Sequence, residues 1–389
     1  MTIVFTASDP YSIGMEMEFQ LLNSESLELV DGIMPLLDFY PDTTNIKPEF
    51  IQNTVELASD VCFDLIELEA NIRALFQGLS TRCQSLGIAL CSAGTHAFDK
   101  KLATITPFPR FRAMERAEGY SSHIQITFAT HVHIGMRSGD EAVNLMSRLM
   151  PYLPLLIAIS ASSPFWRGHD TGYASYRQRI LGATRSYGMP PSFSNWEEFC
   201  HFFETAKKIG VFETIRDIHW DIRPRPELGT LEVRVMDAQP TIREAIDLAG
   251  VVRALVMYLR RTPIETDQGQ AFSSIHWWVQ KDNQYQASHH GLDANYLEAL
   301  DAEPLALRAL LAKVMARLAP VAEEMQQSSS MASLRTTLEH GISNERQHAV
   351  YQRTGSCKKI VERLVEELAA DSCHAPLGAR IPWKESEQV

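Results

Sequence analysis

Residues Ile13–Leu22 read IGMEMEFQLL. Side chains along a β-strand point alternately to opposite faces. Ile13, Met15, Met17, Phe19 and Leu21 therefore make one apolar face, and Gly14, Glu16, Glu18 and Gln20 make the other. Two carboxylates on one face repel each other, and placing them near a core is costly unless positive charge lies between them. Either this face is solvated, as on the outer side of an antiparallel sheet, or a bound cation separates the charges.

Other stretches share the habit. HIQITFATHVHIGM (123–136) reads as a strand with Ile124, Ile126, Phe128, Val132 and Ile134 opposite His123, Gln125, Thr127, His131 and His133. In TLEVRVMD (230–237), Leu231, Val233 and Val235 oppose Glu232 and Arg234. If these strands lie in one sheet, Glu16, Glu18, Glu232, His133 and Arg234 converge on its front. Glu49 and Glu56 of PEFIQNTVE are then expected at its edge. Clustered carboxylates suit Mg²⁺ or Mn²⁺, and a nearby arginine suits a phosphoryl group whose charge grows during transfer. The pattern points to metal-assisted nucleotide chemistry, although cross-strand salt bridges would use the same residues.

The bulk composition sets outer limits. The chain has 389 residues, 45% of them hydrophobic and 22% charged, and a net charge of −12. These values fit an ordinary globular protein. They argue against a general binder of nucleic acid or anionic membranes, which needs a basic footprint. The six cysteines show no C-x-x-C or zinc-ribbon spacing and read as idle thiols in a reducing compartment. MTIVFTASDPYS lacks the pattern of a signal peptide, and PYLPLLIAISASSPF (151–165) is too short and interrupted to span a bilayer. The latter is expected in the core, and the protein in the cytoplasm.

No repeat or Pro/Gly/Ser-rich linker divides the chain. One domain over residues 1–370 is expected, with a polar tail at 371–389. A helix is predicted from about Asp64 to Leu86, stopped by Gly87, and IALCSAGTH (88–96) reads as a buried strand. Capping boxes at Ser194/Glu197 and Thr241/Glu244 mark two further helix starts, and the pattern beyond residue 300 is helical. Strands and helices come in runs without βαβ alternation, which makes the class α+β and the sheet antiparallel. Neither a P-loop nor a strand-linked G-x-G-x-x-G is present.

The ordered set SIGMEMEFQL, KPEFIQNTVELASDVC, AGTHAF, HVHIGM, SPFWRGHDTGYASYR, HWDIRPRPELGTLEVRVMD and SNERQHAVYQRTGS resembles the motifs of the ATP-dependent carboxylate–amine ligases of the type 2 glutamate–cysteine ligase family. The likeness spans about residues 10 to 365. It implies the glutamine synthetase/guanido kinase catalytic-domain fold, a curved antiparallel β-sheet funnel with outer helices. It also implies transfer of the ATP γ-phosphoryl group to a substrate carboxylate, followed by attack of an amine on the acyl phosphate. By this resemblance Glu16, Glu18, Glu56 and Glu232, and more weakly Glu49, are ligands of Mg²⁺ or Mn²⁺. Arg234 faces the phosphoryl group, and His133 lies near the metal or the acyl carboxylate. Arg177 holds a substrate carboxylate and serves the nucleotide site, with Arg223 nearby. The partners implied are a small acid and a small amine, and a homodimer is compatible with the family.

One segment departs from the family pattern. DNQYQASHHGL (282–292) puts Gln284, Gln286 and His289 where arginines are common, and His169 takes another such place. Glutamine makes no charge-assisted contact to phosphate or carboxylate. A non-catalytic or altered-specificity ATP-binding relative therefore stands as one alternative, and a surface helix free to vary in charge as the bland explanation. A zinc-dependent hydrolase is a third reading, suggested by His131 and His133 in H-V-H. His131 itself is expected to be a hydrogen-bonded sheet residue rather than a ligand. IHWWV (275–279) reads as packing or a dimer contact.

Overall fold

The computed structural model describes residues 3–263, 277–298 and 302–372. Ile275 and His276 of the IHWWV stretch, and the tail from residue 373, lie outside them. Seven strands form the main sheet: β1 (Ile13–Asn23), β2 (Ile46–Pro48), β3 (Thr54–Ala58), β4 (Ile88–Cys91), β5 (Thr130–Gly135), β6 (Ile222–Arg225) and β7 (Thr230–Val233). Their order is β6-β7-β5-β1-β3-β2, with β4 paired to the end of β1. Every pairing is antiparallel. The class is α+β, as the run-wise pattern of elements predicts.

The apolar back of β1 does what its alternation requires. Ile13, Met15, Met17, Phe19 and Leu21 are buried under the helices Leu65–Ser85 and Ile242–Arg261, with the Phe19 and Phe76 rings 5.2 Å apart. Burying each such side chain contributes roughly 1.5–3 kcal/mol. Both helices start on a side-chain cap. Asp64 accepts from Glu67 N and Thr241 from Glu244 N, each satisfying an N–H that the first turn leaves without a partner.

Several boundaries differ from the sequence expectation. The helix Trp196–Lys208 is capped by Asn195, which accepts from Glu198 N. The Ser194/Glu197 box is thus displaced by one residue, and Ser194 N donates to Glu198 Oε2 instead. The predicted strand over 123–136 exists only from Thr130. Ser121–Ile124 is a short helical turn, and Phe128 N leaves the ladder to bond Gly94 O. The strand at 88–96 likewise ends at Cys91. The apolar 151–165 stretch supplies a wholly buried helix, Leu153–Ser160. The longer segment Gly139–Ser160 is apolar enough to cross a membrane by length and composition, but most of it is packed inside the fold. The last helix runs to Ser372, and Asp371 is buried against Arg73, so the chain is still packed at 371. The five described cysteines are buried and unpaired.

Candidate active site

The ladder register brings the polar fronts of five strands together. Residues opposite one another in an antiparallel pair share a face. Glu16 stands opposite His131, Glu18 opposite Glu56, and Glu232 opposite both His133 and Arg223. The ligand atoms of Glu16, His131 and Glu232 lie within 4.8 Å of one another, and so do those of Glu18, Glu56 and His131. Glu49 neighbours Glu18 and Glu56. Glu16, Glu18, Glu49, Glu56, Glu232, His133 and Arg234 therefore meet on one surface.

The charges on this surface are unevenly matched. Glu232 is wholly buried and surrounded by guanidinium groups. Arg223 Nε and Arg225 Nη1 donate to its Oε2 at 2.8 and 3.1 Å, and Arg234 Nη1 donates to its Oε1. Burial opposes its charge, but Arg223, Arg234, His133 and Arg225 outweigh it and hold the carboxyl well below the usual range. Glu16 also stays ionised: burial is outweighed by hydrogen bonds from His131 and His133 and by the Lys47 charge. His131 Nδ1 lies 3.3 Å from Glu16 Oε2, and His133 Nε2 lies 3.6 Å from it.

On the other half of the cluster carboxyl groups crowd together and hold their protons. Burial and the neighbouring Glu56 push Glu18 up to about 8, although Ala129 N donates to it at 2.7 Å. Burial and Glu18 push Glu49 up to about 7. Glu56 is raised well above its ordinary value by burial and by Glu16. The fixed cation in their midst is Lys47, whose Nζ bridges Glu16 and Glu56. Burial and Arg234 push His131 down to about 3, leaving a neutral imidazole whose Nε2 is buried without a hydrogen-bonding partner. Neutral imidazole and packed carboxyl groups that ionise when a cation joins them form a donor set that fits a hard or borderline divalent ion.

Two arginines of the site bond the protein itself. Arg223 spends its guanidinium on Glu232 and on the backbone carbonyls of Arg216 and Ile218. It positions Glu232, and a substrate carboxylate would have to compete with those bonds. Arg177 bonds the carbonyls of Val235 and Arg234, leaving its Nε buried without a partner. Arg234 Nε is buried in the same condition.

Sequence reading missed Lys47 and Arg225. Lys47 was visible in K-P-E, but only the β2–β3 register, which sets it opposite Glu56, shows it facing the carboxylates. His131 was set aside as a ligand, yet it contributes to both donor groups. Gln284 sits on the helix Trp277–His290, where its amide donates to the buried Asp221. That contact makes more of the position than a freely varying surface charge.

The sequence model of the family described as Glutamate-cysteine ligase family 2 (GCS2) matches residues 12–366. A protein of Trichormus variabilis with the provisional name glutamate–cysteine ligase 2 is 46% identical over 369 residues, covering 95% of each chain. Among solved structures, glutamate–cysteine ligase from Francisella tularensis in complex with AMP superposes with a TM-score of 0.65 at 14% identity, over 93% of this chain and 90% of that one. A bifunctional glutathione synthetase from Pasteurella multocida gives a TM-score of 0.67 at 13% identity, over 93% of this chain and 52% of that one.

Proposed function

The chain belongs to glutamate–cysteine ligase family 2, and on that footing we propose that it is an ATP- and divalent-metal-dependent ligase joining a small carboxylic acid to a small amine. The observation that carries this reading is the convergence of Glu16, Glu18, Glu56 and Glu232 around His131 on one sheet face. In the reaction the acid's carboxylate takes the γ-phosphoryl group of ATP, releasing ADP. The amine then attacks the acyl carbon, phosphate leaves, and the amine's proton is lost as the amide forms. Glutamate and cysteine are the leading acid and amine. We take the sheet to curve as a funnel around the cluster.

Glu16, Glu18, Glu49, Glu56 and Glu232, with His131, would hold Mg²⁺ or Mn²⁺. Bound there, the ions supply screening between two anions, the nucleotide tail and the substrate carboxylate, that otherwise repel. The chain's own residues do the rest of the positioning. Arg223 and Arg225 fix the Glu232 carboxylate. Arg234, beside it and with Nε unused, is placed to contact the transferring phosphoryl group. His133, steered by its 3.0 Å Nδ1 contact to Thr230 Oγ1, turns Nε2 toward Glu16 and the reacting groups. Arg177 ties down the backbone that carries Arg234, and its unpartnered Nε would serve the substrate carboxylate.

The test is an acid-by-amine matrix with ATP and Mg²⁺ or Mn²⁺, read by ADP release with products identified by mass. Amide formation that depends on the metal and on both substrates supports the reading. ADP release in no combination overturns it.

A further inference from the structure

The helix Pro109–Glu118 differs from the others that surround the sheet, because none of its ten residues is buried. Its sequence, PRFRAMERAE, gives it no apolar stripe to set into a core. Phe111 rests against Phe50 and Phe108, with ring centroids 5.9 and 6.1 Å away. Arg112 pairs with Glu115 on the same helix, and Glu115 reaches His123 in the short turn that follows. Gly119, at φ 58° and with no atom within 4 Å of where a Cβ would stand, ends the helix without packing it. An element with so few buried apolar contacts opens at low cost.

The segment that leads into this helix joins the two outer strands of the main sheet, β2 and β6. On the β2 side Thr106 N donates to Phe50 O, and Thr106 Oγ1 donates to Glu49 O at 2.6 Å. On the β6 side Arg110 Nη2 donates to Arg216 O at 3.1 Å. That same carbonyl accepts from Arg223 Nη1 at 3.3 Å, and Arg223 Nε holds the Glu232 carboxylate. Residues 106–110 therefore pass from Glu49 at one end of the carboxylate cluster to the arginines around Glu232 at the other.

Arg110 is weakly engaged in this position. Its side chain is 44% exposed, its ion pair to Asp217 is long at 3.9 Å, and its hydrogen bond goes to a neutral carbonyl. Burial lowers the guanidinium from its ordinary range, while Asp217 and Glu49 oppose the shift. A phosphate would offer the same fork paired, charge-assisted bonds.

We propose that the helix Pro109–Glu118 is a lid over the carboxylate cluster and that Arg110 is its latch, leaving the Arg216 carbonyl for the polyphosphate tail of a nucleotide bound there. The inference rests on the ligase reading. Closure has a chemical use in that reaction: an acyl phosphate open to water would be hydrolysed before the amine attacks, and a lid excludes the water.

The test is hydrogen exchange on the full chain, read by mass spectrometry in Mg²⁺ alone and in Mg²⁺ with a non-hydrolysable ATP analogue. The amides of residues 109–118 are expected to exchange readily without nucleotide and about tenfold more slowly with it. Arg110→Gln, at an exposed helix position, is expected to bind the analogue about tenfold more weakly and to show no slowing in those amides at saturation. Slow exchange across 109–118 in the free protein, no further slowing with nucleotide, or slowing that survives in Arg110→Gln overturns the lid. Calorimetry on the same samples separates the two readings. An analogue that does not bind defeats the ligase reading and the lid together, whereas one that binds without slowing the helix defeats the lid alone.

Discussion

Lys47 and Glu56 stand opposite each other in the β2–β3 ladder, with Nζ 3.0 Å from Glu56 Oε1. Nζ also lies 3.1 Å from Glu16 Oε1. Burial opposes the ammonium, yet Glu56 and Glu16 raise it above its usual range. A single ammonium thus sits between two carboxylates that a divalent ion would also need. The lysine stabilises the metal-free cluster and competes with the metal for the same oxygens.

Lys47→Met should separate these effects. Removing one partner of a buried pair costs roughly 3–5 kcal/mol, but Lys47 is one-third exposed. A loss of about 1–2 kcal/mol in metal-free stability is therefore expected once solvent screening is included. Mn²⁺ affinity should rise, by about tenfold if 1.4 kcal/mol of competition is removed. Denaturant melts and calorimetric titration read the two quantities. Weaker Mn²⁺ binding in the variant would show that Lys47 assists the ion rather than competing with it.

Metal binding should release protons. Glu18 near 8 and Glu49 near 7 hold protons in the folded, metal-free protein at neutral pH, whereas unfolded carboxyls titrate near about 4. Raised folded values mean that their contribution to stability is fullest below the unfolded value and is lost as pH rises toward 7 and 8. A divalent ion needs the ionised forms, so its affinity should increase over the same range. Mn²⁺ titrations in buffers of different ionisation enthalpy should show proton release at pH 6.5 that fades above pH 8.5. Buffer-independent heats at pH 6.5 would place the ion elsewhere.

The two strongest ligand candidates should behave differently when neutralised. Glu16→Gln removes a carboxylate whose partners are one exposed-edge lysine and two imidazoles, so the fold should survive while metal-dependent turnover is lost. Glu232→Gln leaves Arg223, Arg225 and Arg234 without their common counter-ion. It should cost roughly 3 kcal/mol of stability in addition to turnover. Equal melting curves for the two variants would mean that the arginines find other partners.

That contrast marks where sequence reading reached and where it stopped. The alternation of IGMEMEFQLL placed Glu16 and Glu18 on one face because strand period is local geometry, and the same rule paired Glu232 with Arg234. Which residues stand opposite one another depends on register between strands far apart in sequence. Lys47 against Glu56, and three arginines around Glu232, are products of that register. The over-long strand at 123–136 failed for a related reason. Ile124, Ile126 and Phe128 alternate as a strand would, but the chain turns before Thr130, and Ala129 N donates to the Glu18 carboxylate instead. Asp221 lies within the motif HWDIRPRPELGTLEVRVMD, but the motif alone gave it no role. The amide that Asp221 meets lies on a helix more than sixty positions later.

A last prediction lies away from the cluster, in the core. Asp247 is buried in the helix Ile242–Arg261, facing Ser330 and Ser333 of the helix Ser328–His340. Neither carboxyl oxygen has a well-formed hydrogen bond, and burial pushes the group up to about 8. At pH 6 the folded protein therefore carries Asp247 protonated, while the unfolded chain has it ionised. Because the folded state binds the extra proton, stability from this group is complete below about pH 4 and falls with rising pH, by up to about 1.4 kcal/mol per unit, until about pH 8. Asn matches the protonated acid in shape and does not titrate. Asp247→Asn should thus equal the wild type near pH 4.5 and gain on it steadily toward pH 8. Taking the difference between the two proteins cancels the same-signed contributions of Glu18 and Glu49, which both share. A difference that stays flat across this range would mean that Asp247 is ionised in the fold, with its charge met by a group other than the two serines.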